Sequence, residues 1–332
     1  MALMADPIAN TWVPKGPGQA SLEFEDLRDE IEMLTPEETP LYSNFSKGPL
    51  KALRTDWGTA DLGPITAADA EKRGFEASIR PAITPARLDN IAQLAAETGS
   101  TADSYDVLDL AGRDNESDWQ ELMKGRLLRR KINKLLYANQ AKSNIEPTKM
   151  ATIVTFIAAP RFVSIATTPG VASAGNGTTA YVPGTGGQPL DSIVPIDDMM
   201  EAAYATGDVP EVLYMSPRNK RAWSKIPDAS VAENRVTMTA GTPRAFAYYG
   251  TVDMYLSDFG LLDVAVDRDA PTSYILAVNP NYAQIATLPG RAFKKTALAK
   301  TGSSKKFMIE WEGTLKVYNP TGHGMVEGIA YT

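Results

Sequence analysis

The sequence predicts an α+β fold, with a long helix laid across a sheet and joined to a second, compact region of short strands and helices. Three observations lead there. Residues 118–143 contain no proline and carry apolar side chains at helical spacing. Downstream, short strands rich in Val, Leu and Tyr alternate with capped helices. Between residues 50 and 86, apolar residues are too sparse for that stretch to make a core of its own.

The chain has 332 residues, 43% hydrophobic and 22% charged, which is ordinary for a globular protein and ample for a hydrophobic core. Its length allows one elaborate domain or two to three smaller ones. The formal net charge of -7 disfavours non-specific binding to DNA or to a membrane. With no cysteine, disulfides, thiolate nucleophiles and cysteine metal sites are excluded. No basic-then-apolar leader opens the chain, so synthesis in the cytoplasm is expected. The most apolar stretch, 153–166, is interrupted by Pro160 and Arg161 and is too short to span a bilayer; it reads as a buried strand pair.

Residues 1–20, rich in Pro and Gly, read as an extended arm. Ser21 can cap a short helix with Leu27, Ile31 and Leu34 on one face. Thr35-Pro36-Glu37-Glu38 is a capping box, and Thr39-Pro40 repeats the device before Leu41 and Phe45. Gly48-Pro49 ends that segment, and residues 50–86 suit a protruding two-stranded arm that leans on another surface. Ile91 and Leu94 suggest a strand. Ser117 and Gln120 form a second capping box for a helix over about 118–142, with Trp119, Met123 and Leu127 at i+4 steps and a length of about 36 Å. Residues 170–188 read as an exposed loop. Helices follow at 195–205, ended by Gly207, and from Ser216-Pro217 to Pro227. Strands follow at 212–215, 252–256, 262–266 and 274–278. A long strand over 305–318 alternates Phe307, Ile309 and Trp311 with polar neighbours, with Gly313 as a bulge.

Signals for chemistry are few. His323 is the one histidine, lies between glycines and reads as a turn residue. Lys300-Thr301-Gly302 followed by Ser303-Ser304-Lys305-Lys306 contains two elements of serine hydrolases, but in abutting, reversed order. The Gly-rich runs near 175 and 184 lack a following Lys-Ser/Thr, so no phosphate cradle is expected. Acidic groups at 23–32 and at Asp197, Asp198 and Glu201 are explained by helix dipoles. No metal, cofactor or catalytic residue is expected. Two basic clusters remain, one on the long helix (Lys124, Arg126, Arg129, Arg130, Lys131, Lys134) and one at Arg291, Lys294, Lys295, Lys300, Lys305 and Lys306. They can be a solvated face, a contact for the acidic segment 23–38 of this or a neighbouring subunit, or a grip on DNA.

Nine runs, in order along almost the whole chain, carry a resemblance. They are Thr35-Pro36-Glu37-Glu38-Thr39-Pro40-Leu41, Ser46-Lys47-Gly48, Thr55-Asp56-Trp57, Arg87-Leu88-Asp89-Asn90-Ile91-Ala92-Gln93 and Glu146-Pro147-Thr148-Lys149. Tyr214-Met215-Ser216-Pro217, Ser257-Asp258-Phe259-Gly260, Leu298-Ala299-Lys300-Thr301-Gly302 and Leu315-Lys316-Val317-Tyr318-Asn319-Pro320 complete them. The sequence resembles the SU10-like group of tailed-phage major capsid proteins, which have the HK97-type fold.

The resemblance implies an N-terminal arm (1–47), an extended E-loop (48–86), a P-domain (87–149, with the spine helix at about 118–142), connecting strands and a Gly-rich loop (150–189), an A-domain (190–300) and a return to the P-domain (301–332). It implies self-assembly through pentamers and hexamers into an icosahedral shell around double-stranded DNA, without sequence-specific binding, as part of the virion. A portal protein is the further partner implied, with either a separate scaffolding protein or none, decoration proteins left open, and no membrane. The intersubunit contacts expected are Arg54, Asp56 and Trp57 in the E-loop, Arg129, Arg130 and Lys131 on the helix, and Glu23 and Glu30 in the acidic segment. Two other functions stay open: the shell of an enzyme-loaded nanocompartment with the same fold, and a hydrolase built on Ser303 and Lys306.

Overall fold

The computed structural model describes residues 38–61, 73–74, 83–107, 115–226 and 254–331. The expected arm over 1–20, the helix after Ser21, the capping box at Thr35, and Glu23 and Glu30 lie outside them. In chain order the first elements are α1 (Pro40–Asn44), β1 (Ser46–Pro49), β2 (Arg54–Thr59), β3 (Ala86–Ile91), β4 (Gln93–Ala102), α2 (Glu116–Leu136) and β5 (Phe162–Ser164). Next come α3 (Val194–Thr206), β6 (Val212–Met215), α4 (Pro217–Trp223), β7 (Met254–Ser257), β8 (Gly260–Val266) and β9 (Tyr274–Val278). The chain closes with β10 (Ala283–Thr287), β11 (Lys294–Leu298), β12 (Ser304–Val317) and β13 (Gly324–Glu327).

β12 organises the first sheet. One edge pairs antiparallel with β4, from Ser304 opposite Ala102 to Gly313 opposite Gln93. The other edge is shared by β11 and β10, and β1 adds in parallel to β10. Gly48 and Pro49 therefore belong to a strand and do not end the segment. Phe307, Ile309, Trp311, Leu315 and Val317 are all buried on one face. Their period of two runs unbroken through Gly313, and both ladders keep register there, so Gly313 is not a bulge. Its role is space: a Cβ there would lie 2.6 Å from the Trp311 ring and 2.8 Å from the Ala286 carbonyl oxygen.

α2 lies against β4 and β12. Leu128, Ile132 and Leu136, spaced by four, form its buried stripe, while Leu127 is 41% exposed. The expected capping box does not form. Asn115 is the N-cap and accepts from the Ser117 amide, while the Ser117 hydroxyl is buried and donates to Asp106 at 2.7 Å. Gln120 donates instead to Glu116. The helix stops at Leu136, six residues short of the expected 142, at a length of about 32 Å. Tyr137 and Ala138 donate back to Lys134 and Leu135, and Asn139 then pairs its side chain with both backbone groups of Tyr181.

The second sheet has six strands in the order β5-β13-β9-β6-β8-β7. Its central strands are buried on both faces, which explains their continuous apolar runs. Tyr214, Leu276 and Met325 face the core shared with α2 and β12. Leu213, Met215, Ile275 and Val326 face a second core beneath α3 and α4. Ser216 caps α4 by accepting from the Asn219 amide, and Gly207 ends α3, both as the sequence predicts. Sheet membership divides the chain differently from the expected ranges. β10 and β11, inside 190–300, join β12, whereas β13, inside 301–332, joins the six-stranded sheet.

The apolar stretch 153–166 is not a strand pair. Residues Ile153–Phe156 form a buried single turn, with Thr155 donating through amide and hydroxyl to the Thr152 carbonyl, and only β5 is strand. The Gly-rich stretch 170–188 is largely exposed but not free. Glu327, 3% exposed, accepts from the Ser164 hydroxyl and from the amides of Gly170 and Gly184. Close approach requires glycine at both positions, because a Cβ on either would fall within 3 Å of that carboxylate.

β2 and β3 form a separate antiparallel pair, Arg54 opposite Ile91 through Thr59 opposite Ala86. Asn90 ties its base to the body. Fully buried, it donates to the carbonyls of Ala151 and Leu315 and accepts from the amide of Ala151. Asn90→Ala removes these partners from backbone groups that water cannot reach. The expected loss is about 3 kcal/mol in urea unfolding of the unassembled subunit; a loss under about 0.5 kcal/mol contradicts this account.

Candidate functional site: the assembly surfaces

The expected contact residues fall in two places. Arg54, Asp56 and Trp57 alternate along β2, so Arg54 and Asp56 share the exposed face and Trp57 points the other way. Asp56 lies directly opposite Asp89 across the ladder. Opposed like charges are unfavourable, and cations offset them here. Arg54 lies 3.5 Å from Asp56 and 3.2 Å from Asp89, Arg87 pairs with Asp56, and Lys142 reaches Asp89 at 2.6 Å. Trp57 turns inward: its Nε1–H donates to the Val317 carbonyl at 2.8 Å and its ring lies 6.2 Å from that of Phe156. Its first partner is therefore this chain's own core.

On α2, all three expected residues have partners within the subunit. Arg130 chelates the Asp269 carboxylate through Nε and Nη2, both at 3.0 Å. Lys131 pairs with Glu97, which Lys124 also approaches at 3.8 Å. Arg129 donates to the Ser43 hydroxyl at 3.0 Å and stands 5.7 Å from the centre of the Tyr42 ring. Beside it Lys47 donates to the carbonyls of Tyr42 and Phe45; burial, then the Arg129 charge, pull its pKa down to about 8. Sequence reading identified these cations but not Glu97, Asp269 or Ser43, which lie 34 to 139 residues away.

Four cations of the C-terminal cluster are likewise paired. Lys295 meets Glu121, Lys300 meets Asp103 at 2.6 Å, Lys305 meets Asp106 at 2.5 Å, and Arg291 lies 3.3 Å from Glu312. The first three clips fasten the start of α2 and the turn before it to β11, β12 and the loop between them. Bonds to Lys300 and Lys305 hold the carboxyls of Asp103 and Asp106 below their ordinary value of 3.8.

The hydrolase elements do not form a relay. Ser303 donates to Asp103, which Lys300 already holds, and Lys306 donates to Thr301 and not to Ser303. His323 is wholly buried; its Nδ1 accepts from the Asn279 amide, and burial, then the nearby Arg161 charge, push its pKa down to about 3. Among the described residues no group of three His, Asp or Glu side chains could hold a metal ion, and no helix is long and apolar enough to cross a membrane.

A long helix across a β12-centred sheet, a two-stranded arm rooted beside it and a second doubly covered sheet define an HK97-type capsid subunit. Solved structures share this arrangement. The cyanophage A-1(L) capsid subunit superposes with a TM-score of 0.66 at 12% identity, covering 94% of this chain and 99% of that one. A chain from Gordonia phage Cozz gives 0.61 at 11% identity, over 97% and 99%. The SrpI encapsulin of Synechococcus elongatus gives 0.52 at 10% identity, over 91% and 93%. In sequence, the chain is 21% identical to the major capsid protein of Escherichia phage Phieco32, over 89% of this chain and 91% of that protein. The model of the SU10 major capsid protein family matches residues 9–330, and the chain belongs to that family. It is a phage major capsid protein, a subunit of the virion shell whose copies self-assemble.

The Asp106 clip makes acid stability testable. A carboxyl whose folded-state pKa is lowered adds stability that is present above its ordinary range and is lost as pH falls through the folded value. The Tm of the unassembled subunit should therefore fall as pH drops below about 4, and Asp106→Asn should flatten that fall. Identical pH profiles for the two proteins contradict the assignment.

Proposed function

We propose that copies of this chain associate as pentamers and hexamers that close an icosahedral shell around phage double-stranded DNA. One observation carries the reading: among the described residues the β2–β3 pair is tied to its own subunit through Asn90, Trp57 and the Lys142–Asp89 pair while Arg54, Asp56 and Arg87 stay on its exposed face, and a two-stranded ribbon of this kind needs a further surface to stay ordered. In this reading residues 1–47 are the N-terminal arm, 48–86 the E-loop, 87–149 with 301–332 the P-domain, and 190–300 the A-domain. The exposed side chains of Arg54 and Asp56 meet a neighbouring subunit. Arg129 and the acidic pair Glu23 and Glu30 contribute further contacts between copies.

The net charge of -7 supports a lumen that holds DNA without gripping its sequence. The pairing of Lys295, Lys300 and Lys305 with carboxylates points the same way. A portal protein at one vertex is the further partner, with a separate scaffolding protein or none. The protein acts as a building unit and not as an enzyme, and is made in the host cytoplasm.

Electron microscopy of the expressed protein tests this directly. Closed icosahedral particles are expected, and a strictly monomeric species at every salt concentration overturns the reading. Asp56→Ala should leave Tm nearly unchanged, since its ion pairs are exposed, but reduce particle yield; normal yield removes Asp56 from the contact set. The helix cations should separate by partner. Arg130→Glu and Lys131→Glu set carboxylates against Asp269 and Glu97 and should lower Tm by several degrees. Arg129→Glu should spare Tm and reduce particle yield. Equal Tm for all three contradicts this division.

A further inference from the structure

Beside α4 lies a cleft of about 640 Å³. Arg218 and Arg221 sit one turn apart on the helix, and Lys225 follows just past its end. The floor is apolar, from Leu190 and Ile226, each under 5% exposed. Tyr331 forms one wall, with the Arg218 guanidinium 4.8 Å from its ring centre and donating to its carbonyl at 3.2 Å. Among the described residues Asp191 is the only carboxylate lining the cleft. Among the described residues, neither Arg221 nor Lys225 has an ion-pair partner, in contrast to the paired cations of α2 and β12. Three cations gathered over an apolar floor repel one another in the isolated subunit and suit an anionic partner with an apolar anchor.

The outer face of α3 has the complementary character. Asp198 and Glu201 are exposed one turn apart, without ion-pair partners among the described residues, and α3 carries no cation. Tyr204, one turn further on, is 63% exposed, and its ring rests 5.6 Å from that of Phe259. An exposed aromatic ring held against Phe259 beside two carboxylates is well made to enter an apolar cleft. α3 packs over β13 and β5 at one end of the six-stranded sheet, whereas α4 packs over β6, towards the other. The two surfaces therefore lie on different flanks of the helical layer. A head-to-tail contact joins two such separate surfaces, and head-to-tail contacts close into rings when the rotation closes.

We propose that the cleft of Arg218, Arg221 and Lys225 receives the Asp198–Glu201–Tyr204 face of α3 from a second copy, as the repeating contact of a capsomer ring. The proposal rests on assembly into shells and deepens it by naming the contact.

A charge swap tests it. Arg221→Glu with Lys225→Glu, and separately Asp198→Lys with Glu201→Lys, should each lower shell yield by about ten-fold, the scale of losing a close charge pair per contact. All four substitutions in one chain should recover most of the yield. Arg218 is left unchanged because it also holds Tyr331. Either half-swap assembling at wild-type yield, or a full swap no better than the halves, overturns the contact. Should a swapped chain melt early, Tyr204→Ser probes the same face without charge: reduced shells with an unchanged Tm support the contact, and normal shells overturn it. Wild-type protein that forms no shells would instead count against the shell reading itself.

Discussion

Asp267 is 1% exposed and stands where α2 crosses the six-stranded sheet. Its Oδ2 accepts from the Asn133 amide at 2.8 Å and from the Tyr137 hydroxyl at 2.9 Å, while its Oδ1 accepts from the backbone of Asp269. Asn133, itself fully buried, uses its carbonyl to accept from the Tyr42 amide, and so draws α1 into the same cluster. Tyr274 donates to the Tyr137 carbonyl, and Asn44 reaches the Tyr214 hydroxyl at 2.5 Å. Burial, reinforced by the Asp267 charge, drives the Tyr137 hydroxyl far above its ordinary pKa, so it remains a donor at any physiological pH. A buried carboxylate is tolerated only when such donors surround it. Two of these donors come from α2 and its C-terminal end, and Asn133 in turn binds the Tyr42 amide, so satisfying Asp267 fixes α2 against the second sheet and, through Asn133, α1 against both.

The other features depend on that weld. The core shared by α2, β12 and one face of the six-stranded sheet is continuous because the helix is held at this angle. Arg130 and Asp269 extend the polar contact towards the surface. From β12 the backbone offers the carbonyls of Leu315 and Val317 to Asn90 and Trp57, which root the β2–β3 ribbon. A lattice subunit needs this property: a body stiff enough that arm, ribbon and helix faces are presented in fixed directions to its neighbours.

Much of the body was legible in the chain. The helices opened by Ser216-Pro217 and closed by Gly207, the strand over 212–215 and the alternation of 305–318 follow from local rules, because cap, breaker and period all act within a few residues. Ser117 misled because its hydroxyl serves Asp106 instead of the helix end, a partner eleven residues away that no capping rule includes. The strands β1, β10 and β11 were missed because runs of four or five residues become strands only when a neighbour offers them an edge, β12 for β10 and β11 and β10 for β1. Gly313 could have been read correctly, since apolar residues at 307, 309, 311, 315 and 317 keep one parity. The assembly surfaces were legible as charge but not as pairing. Nothing near Arg130 or Lys131 announces Asp269 or Glu97, and Arg221 and Lys225 drew no notice because only the fold sets them around a cleft.

The weld implies that the two sheets cannot open independently, and native-state hydrogen exchange on the unassembled subunit under increasing urea tests this most directly. Amides of α2 near Ile132, of β12 near Trp311 and of β9 near Leu276 should merge into one opening with a common free energy and a common urea dependence. If the β9 amides exchange through a separate, lower-energy opening while α2 and β12 stay protected, Asp267 does not hold the two halves together, and the account of a single rigid lattice subunit fails.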